Sequence, residues 1–254
     1  MRYFKLLACK IFQRELAQVI PSCPNVLDIT FMRQDLHVHP QLLREALQKE
    51  IDLIESGSDL HTNQRGFEKT EAILLGYGLC SNALVGIKSN RFPLVIPRAH
   101  DCITHFMGSK ERYSEYFEKV KGTFFYTQGW IDLGMDIGQA DIERKRSEYM
   151  ERFDGDEDAV EYLLDMEREM YKNYRYVTYI TWPGMSNQRG IGAAQEMADK
   201  AGMELLQYEG SNRLLADFVN GNWNEEDFLV VQPGETIQPS YDKMVIKSVC
   251  CQEK

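Results

Sequence analysis

Two short runs constrain this chain more than anything else in it. One is Ala72-Ile73-Leu74-Leu75-Gly76-Tyr77-Gly78, closed by glycines; the other is Leu94-Val95-Ile96, held between Pro93 and Pro97. Both are continuously apolar, with no alternation, and both are too short for a helix that buries one face. Strands covered on both sides read this way, and such strands belong to parallel sheets flanked by helices. Tyr3–Cys9 and Asn25–Met32 suit further strands. Helical spacing falls between them, first over Gln13–Ile20 and then over Pro40–Ser56, where Leu42, Leu43, Ala46, Leu47, Ile51 and Ile54 recur at three and four residues. Pro40 suits a first helical turn, where its missing N–H costs nothing. The alternation predicts a doubly wound α/β unit.

After Gly108 a second alternation begins. A polar helix is expected over Ser109–Val120 and a strand over Thr123–Thr127. Residues 140–172, the most charged stretch, read as a long helix or helix pair with one apolar face. Strands at Tyr176–Thr181, Met203–Tyr208 and Phe228–Val231 then alternate with helices at Gln188–Ala201 and Arg213–Asn220. The expected fold is therefore α/β, two lobes with mainly parallel sheets flanked by helices and a cleft at the strand C-terminal ends. The boundary falls near residue 120. Residues 1–120 form the lobe carrying the cysteines and histidines, and 121–254 the lobe carrying the charged insertion. The turn-rich segment beyond Pro233 could return to the first lobe.

Charge and cysteine usage narrow the function. With 39 acidic against 29 basic residues the net charge is −10, so no nucleic-acid partner is expected. No run approaches the length of a membrane-spanning helix. The N-terminal apolar run breaks at Lys10 and reads as the first strand of a cytoplasmic protein, without a secretory leader. Six irregularly spaced cysteines do not make a disulfide framework; they are free thiols, metal ligands or nucleophiles.

Ligands of parallel sheets bind outside the carboxyl ends of the strands. Cys9 ends the first strand, His37 and His39 follow the second, Cys80 the third, and His100, Asp101 and Cys102 the fourth. Thiolates and imidazoles are the donors zinc prefers, and thiolates those of iron–sulfur clusters. Taken singly, each has a plain reading: a cysteine as a small buried hydrophobe, a histidine as a cap or surface residue. Their coincidence at one sheet edge is the signal. Asp101 could orient an imidazole through a hydrogen bond, which makes Asp101 and His100 the catalytic candidates. Arg98 could bind a substrate carboxylate or phosphate. Ser109 and Lys110, opening a helix, offer backbone N–H groups to an anion, with simple N-capping by Ser109 as the plain alternative. Gly76-x-Gly78 lacks the third glycine of a dinucleotide fingerprint, since position 81 is Ser81, and no G-x-S-x-G elbow exists. Cys23, between prolines, reads as structural, Cys250-Cys251 as an exposed pair, and His61 and His105 have no evident partner.

The segments Leu75-Gly76-Tyr77-Gly78-Leu79-Cys80-Ser81-Asn82, Pro97-Arg98-Ala99-His100-Asp101-Cys102-Ile103 and Gly108-Ser109-x-x-x-Tyr113 resemble the domain-of-unknown-function family 1638 of anaerobic bacteria and methanogenic archaea. Cys9, Leu36-His37-x-x-Pro40, Gly122-Thr123, Gly129-Trp130 and Asp227-Phe228-Leu229-Val230-Val231-x-Pro233-Gly234 extend the likeness over nearly the whole chain. The resemblance implies an anaerobic setting in the company of corrinoid-dependent methyl transfer, and no established activity. It places Cys9, Cys80, His100, Cys102 and His37 within signature segments.

The expectation is a metal-binding enzyme or accessory protein of anaerobic one-carbon, corrinoid-linked metabolism. Cys9, Cys80 and Cys102 would be thiolate ligands, with His100 or His37 as the fourth. The metal is zinc or, alternatively, a [4Fe–4S] cluster, and the chemistry is methyl or other group transfer. The partners would be a small-molecule anion or thiol and a corrinoid protein. A non-catalytic two-lobed module binding a small molecule or a corrinoid is the alternative. A third reading makes Cys80 or Cys102 a nucleophile with His100 as base.

Overall fold

The computed structural model describes residues 1–60, 68–185 and 188–250. His61 and Cys251 lie outside the described residues. The chain forms two compact units, Met1–Tyr113 with Ser211–Lys254, and Ser114–Gly210. These are not the sequential halves expected from the alternation: residues 211–254 group with the first unit. The reason is a strand that pairs backwards, described below.

In the first unit, β1 (Tyr3–Cys9), β2 (Val26–Met32), β3 (Thr70–Gly76), β4 (Leu94–Pro97) and β8 (Phe228–Val231) form one sheet in the order β2-β1-β3-β4-β8. The first four are parallel and β8 runs antiparallel to β4. The continuous apolar runs are central strands: Leu6, Leu7, Ile73, Leu74, Leu75, Val95 and Ile96 are completely buried. Helices α1 (Gln13–Val19), α2 (Pro40–Ser56) and α9 (Arg213–Asn220) belong to this unit. Helix α2 buries Leu43, Leu47, Ile51 and Ile54, while Leu42, expected on the apolar face, is exposed. Strand β8, expected in the second lobe, instead covers the open edge of β4. A hairpin of β9 (Glu235–Pro239) and β10 (Ile246–Cys250) follows it. A buried Lys5 on β1 pairs with Asp59 at 2.6 Å and lies 3.7 Å from Asp28.

The first sheet changes direction once. The chain leaves β1 for β2 on one side and returns across β1 to lay β3 on the other. The crevice at such a crossover, between the C-terminal ends of β1 and β3, is the usual ligand position of open parallel sheets.

The second unit has a parallel sheet, β5-β6-β7, of Thr123–Tyr126, Tyr176–Thr181 and Glu204–Glu209. Helices α5 (Gln128–Asp132), α6 (Gln139–Arg152), α7 (Glu157–Tyr171) and α8 (Gln188–Ala201) accompany it. The charged stretch is the expected helix pair, α6 and α7, with Ile142, Val160 and Leu164 as its apolar seam. Lys145 bridges Asp141 and Glu167 at 2.9 and 2.7 Å across it. All three side chains are largely screened from solvent, so the bridge ties the two helices together beside the apolar seam.

Candidate functional site

The crossover edge of the first sheet is built by three strand ends. Cys9 is the last residue of β1. Beyond β3, the segment 77–80 runs beside the exit of β4: Leu79 N–H donates to Ala99 C=O at 2.7 Å, and Cys80 N–H to His100 C=O at 2.9 Å. The approach is so close that a Cβ on Gly78 would stand 2.7–2.9 Å from the Asp101 backbone. Glycine is therefore required there by space. Asp101 then caps the short helix α3 (Cys102–Met107), its carboxylate accepting from Ile103 N–H at 3.0 Å.

These constraints bring Cys9, Cys80, Cys102 and Asp101 within electrostatic reach of one another. Burial is the main force on each of these three thiols. It pushes Cys9 up to about 11, opposed by an Ile11 N–H. It pushes Cys80 up to about 12, with Cys9 adding to the rise. Cys102 is raised well above the ordinary range, again by desolvation first and then by Asp101 and the other thiols. Desolvation also raises Asp101, opposed by the Tyr113 hydroxyl, which donates to it at 3.0 Å. A bare thiol here stays protonated near neutral pH, the opposite of an activated nucleophile.

Backbone strain gathers at the same place. Cys80, Ser81 and Asn82 have φ of +46°, +55° and +66°, three consecutive non-glycine residues in the left-handed region. Each such residue costs about 1 kcal/mol or more. The turn is held from below by the buried Ala83 and Leu84 and from the side by Arg44 of α2, whose Nη2 donates to Asn82 C=O at 2.8 Å.

The buried polar groups of this unit without a hydrogen-bond partner include Tyr77 and His105. The Tyr77 hydroxyl, within reach of Cys9 and Cys80, has none. Neither has either ring nitrogen of His105, which is completely buried on α3. An unsatisfied buried polar group costs about 1–3 kcal/mol, and such groups call for a water, an ion or a ligand. Sequence reasoning singled out neither. Tyr77 sits in the run that closes β3, which could have marked it, whereas nothing in the sequence shows that His105 is buried.

The other expected residues are placed differently. His100 is exposed, with its charge felt by Asp101. His37 lies in the 3-10 turn after β2, its Nδ1 held 2.5 Å from Gln34 C=O. The Arg98 guanidinium donates to the carbonyls of Glu225 (2.8 Å), Phe228 (3.1 Å), Met244 (3.0 Å) and Ile246, bracing the returning C-terminal strands. Lys110 donates to Glu226 C=O. Ser109 Oγ accepts from Arg112 N–H at 3.2 Å, the plain N-capping alternative, at the start of α4 (Lys110–Lys119). The three residues expected to hold an anion are thus occupied within the protein. Cys23 donates to Val219 C=O, and Cys250 is exposed.

The donor set, three thiols with a carboxyl and an imidazole nearby, matches the chemistry of a soft metal. Among the described residues, no group of three His, Cys, Asp or Glu side chains could hold a metal ion as they stand. No helix of the described residues is long and apolar enough to cross a membrane.

Fold and site together define an α/β protein whose first parallel sheet gathers thiols at its crossover edge. The chain belongs to the family described as Protein of unknown function (DUF1638), whose model matches residues 31–219. That span includes Cys80, Asp101 and Cys102 and leaves Cys9 outside, so it is shorter than the nearly full-length likeness expected. Neither the curated proteins nor the solved structures gave a match.

Proposed function

We propose that the crossover edge of the first sheet is a thiolate metal centre, with Cys9, Cys80 and Cys102 as its sulfur ligands. The observation that carries this reading is the convergence of three cysteines, from three separate strand ends, on one edge. The chain spends a glycine-only contact at Gly78 and three left-handed residues to hold them there. The titration behaviour agrees: a divalent cation would supply the positive charge that three mutually repelling thiolates need. It also argues against the bare-thiol nucleophile, whose proposed base, His100, is exposed.

Zinc is the metal we favour, with a [4Fe–4S] cluster as the other tenant of the same sulfurs. A bound zinc ion would supply a thiol of lowered pKa for methyl or other group transfer. Within the chain, Asp101 and Tyr113 would fix the Cys102 turn, and Arg44 would hold the Cys80 turn. The protein would serve one-carbon metabolism as an enzyme or accessory factor, with a thiol substrate and a corrinoid protein as the partner implied by the family likeness.

The test is elemental analysis and an absorption spectrum on anaerobically purified protein, with Cys80→Ser alongside. Near-stoichiometric zinc that is lost in the variant is the expected result. Iron with sulfide, lost in the same variant, would keep the ligands and change the metal. If neither protein holds or takes up metal, the reading fails. The unpartnered Tyr77 hydroxyl and His105 ring would then favour a polar organic ligand, the binding-module alternative.

A further inference from the structure

We propose that β2 is the seam of a homodimer, pairing antiparallel with β2 of a second copy so that the first sheet continues across a twofold axis.

Strand β2 ends its sheet and, among the described residues, pairs with β1 alone. It is seven residues long, Val-Leu-Asp-Ile-Thr-Phe-Met, and none of them is buried. Proteins ordinarily blunt such an edge with lysine, proline, a bulge or a very short strand. None of these is present: the register against β1 runs unbroken from Val26 to Met32, and the one charge, Asp28, lies 3.7 Å from Lys5 Nζ. The opposite end of the sheet is protected, since β8 has four residues and three of them are buried. The edge of β2 is also held firmly. Asn25, just before it, accepts from Arg2 N–H at 3.0 Å through its side chain and donates to the Val219 and Asn220 carbonyls at 3.1 and 3.0 Å.

Backbone parity selects the register. Val26 N–H donates to Arg2 C=O at 2.9 Å, so Val26 bonds toward β1 and, by the alternation of a parallel ladder, so do Asp28, Thr30 and Met32. Leu27, Ile29 and Phe31 therefore turn both N–H and C=O outward. A twofold axis at Ile29 sets Ile29 against its own copy and Leu27 against the partner's Phe31. Every outward group then has a partner across the seam, and the interface is isologous.

The side chains agree with that register. Leu27, Ile29 and Phe31 share one face, so the axis lays apolar pairs side by side there. On the other face Val26 meets the partner's Met32, and Asp28 meets the partner's Thr30, whose hydroxyl donates to the carboxylate. No like charges stand opposite one another. Moving the axis to Asp28 would set two carboxylates face to face. Strand β7, the end of the second sheet, fails the same test, because full pairing with its own copy sets Glu204 against the partner's Glu209 at both ends. Like charges directly opposite are destabilising.

Sedimentation equilibrium of the full chain tests the seam, in reductant so that the exposed Cys250 forms no cross-link. A dimer is expected. Ile29→Lys sets two ammonium groups opposite each other on the axis and should raise the dimer dissociation constant about 10-fold or more. Two milder variants read the register. Thr30→Glu places like charges opposite each other at Asp28 and should weaken the dimer about 3-fold or more, whereas Thr30→Lys places opposite charges there and should not weaken it. Circular dichroism and thermal unfolding check that each variant folds, and if Ile29→Lys does not, the Thr30 pair decides. A chain that stays monomeric up to its solubility limit overturns the proposal and leaves the edge to a strand of another protein. A dimer indifferent to these substitutions overturns the seam and puts the contact elsewhere. Neither result bears on metal content, so the thiolate centre stands or falls separately.

Discussion

Each of the two units has its own mainly parallel sheet, and they differ in what they place around it. All six cysteines and all five histidines lie in the first unit, and Ser114–Gly210 contains neither residue type. At the end of β5 stand Thr127 and Gln128, and Gln128 accepts a hydrogen bond from the buried Tyr179 of β6 at 3.4 Å. Gly190 of α8 presses its backbone against both side chains, so ring, amide and helix fill the space. Thr127 Oγ1 and Trp130 Nε1 are buried without partners there, but no soft donor accompanies them. Both sheets present a C-terminal edge, although only the first reverses its strand order to make a crossover crevice. Side chains decide whether it is furnished, as in the first, or packed shut, as in the second.

The largest effect that could break this contrast is expected from Gly78→Ala. Its new Cβ would meet backbone, which cannot swing away, and the loss should be about 3 kcal/mol, the upper end of overpacking. Because the displaced atoms belong to Asp101, metal affinity should fall with stability. Chemical denaturation and metal titration of the same sample check both. A stable variant with unchanged metal affinity would mean that the two loops need not touch.

Next comes the acid limb of the metal-free protein. His105 has a pKa of about 4 when folded against 6.5 when unfolded, so the unfolded chain binds the extra proton between those values. Stability is then fully present above pH 6.5 and lost as pH falls toward 4, by about 3 kcal/mol in total. Asp101, whose pKa is raised on folding, works in the opposite direction: its contribution favours the folded state at low pH and is lost as pH rises. Comparing denaturation curves of the native chain and His105→Gln across this window isolates the histidine. Equal slopes would show that the ring is solvated.

Gly190→Ala probes the packed edge. Its Cβ would meet the ends of Tyr179 and Gln128, side chains that can yield more than backbone can. A loss of about 2 kcal/mol is expected, with metal affinity untouched. A change in metal binding would show that the two edges are coupled.

Much of this contrast was legible in the sequence. Continuous apolar runs declare buried strands, and Tyr3–Cys9 and Pro40–Ser56 form just where pattern and proline place them. Phe228–Val231 was legible as a strand but not in its direction, because a strand's own side chains do not name its neighbour. Helix α3 escaped notice because its Ile103, Thr104, His105, Phe106 and Met107 are all buried, so it has no polar face to give it a period. The convergence of Cys9, Cys80 and Cys102 followed from the parallel order. The burial of His105 did not, since burial of a single ring depends on tertiary packing. Arg98 and Lys110 misled because a cation near a strand end can serve a carbonyl as well as an anion.

The smallest effect has the opposite sign and bears on the strained turn. Ser81 is exposed, with φ of +55° between Cys80 and Asn82. Ser81→Gly removes a left-handed penalty of about 1–2 kcal/mol, and glycine's greater freedom in the unfolded chain returns about 0.5–1 of it. The folded protein should gain roughly 0.5 kcal/mol, read as a higher denaturation midpoint. If the turn exists to aim Cys80, this more stable variant should bind metal more weakly, because a glycine hinge lets the thiol wander. A gain in stability with unchanged affinity would separate the two, and the aim of Cys80 would then rest on Arg44 and the His100 carbonyl alone.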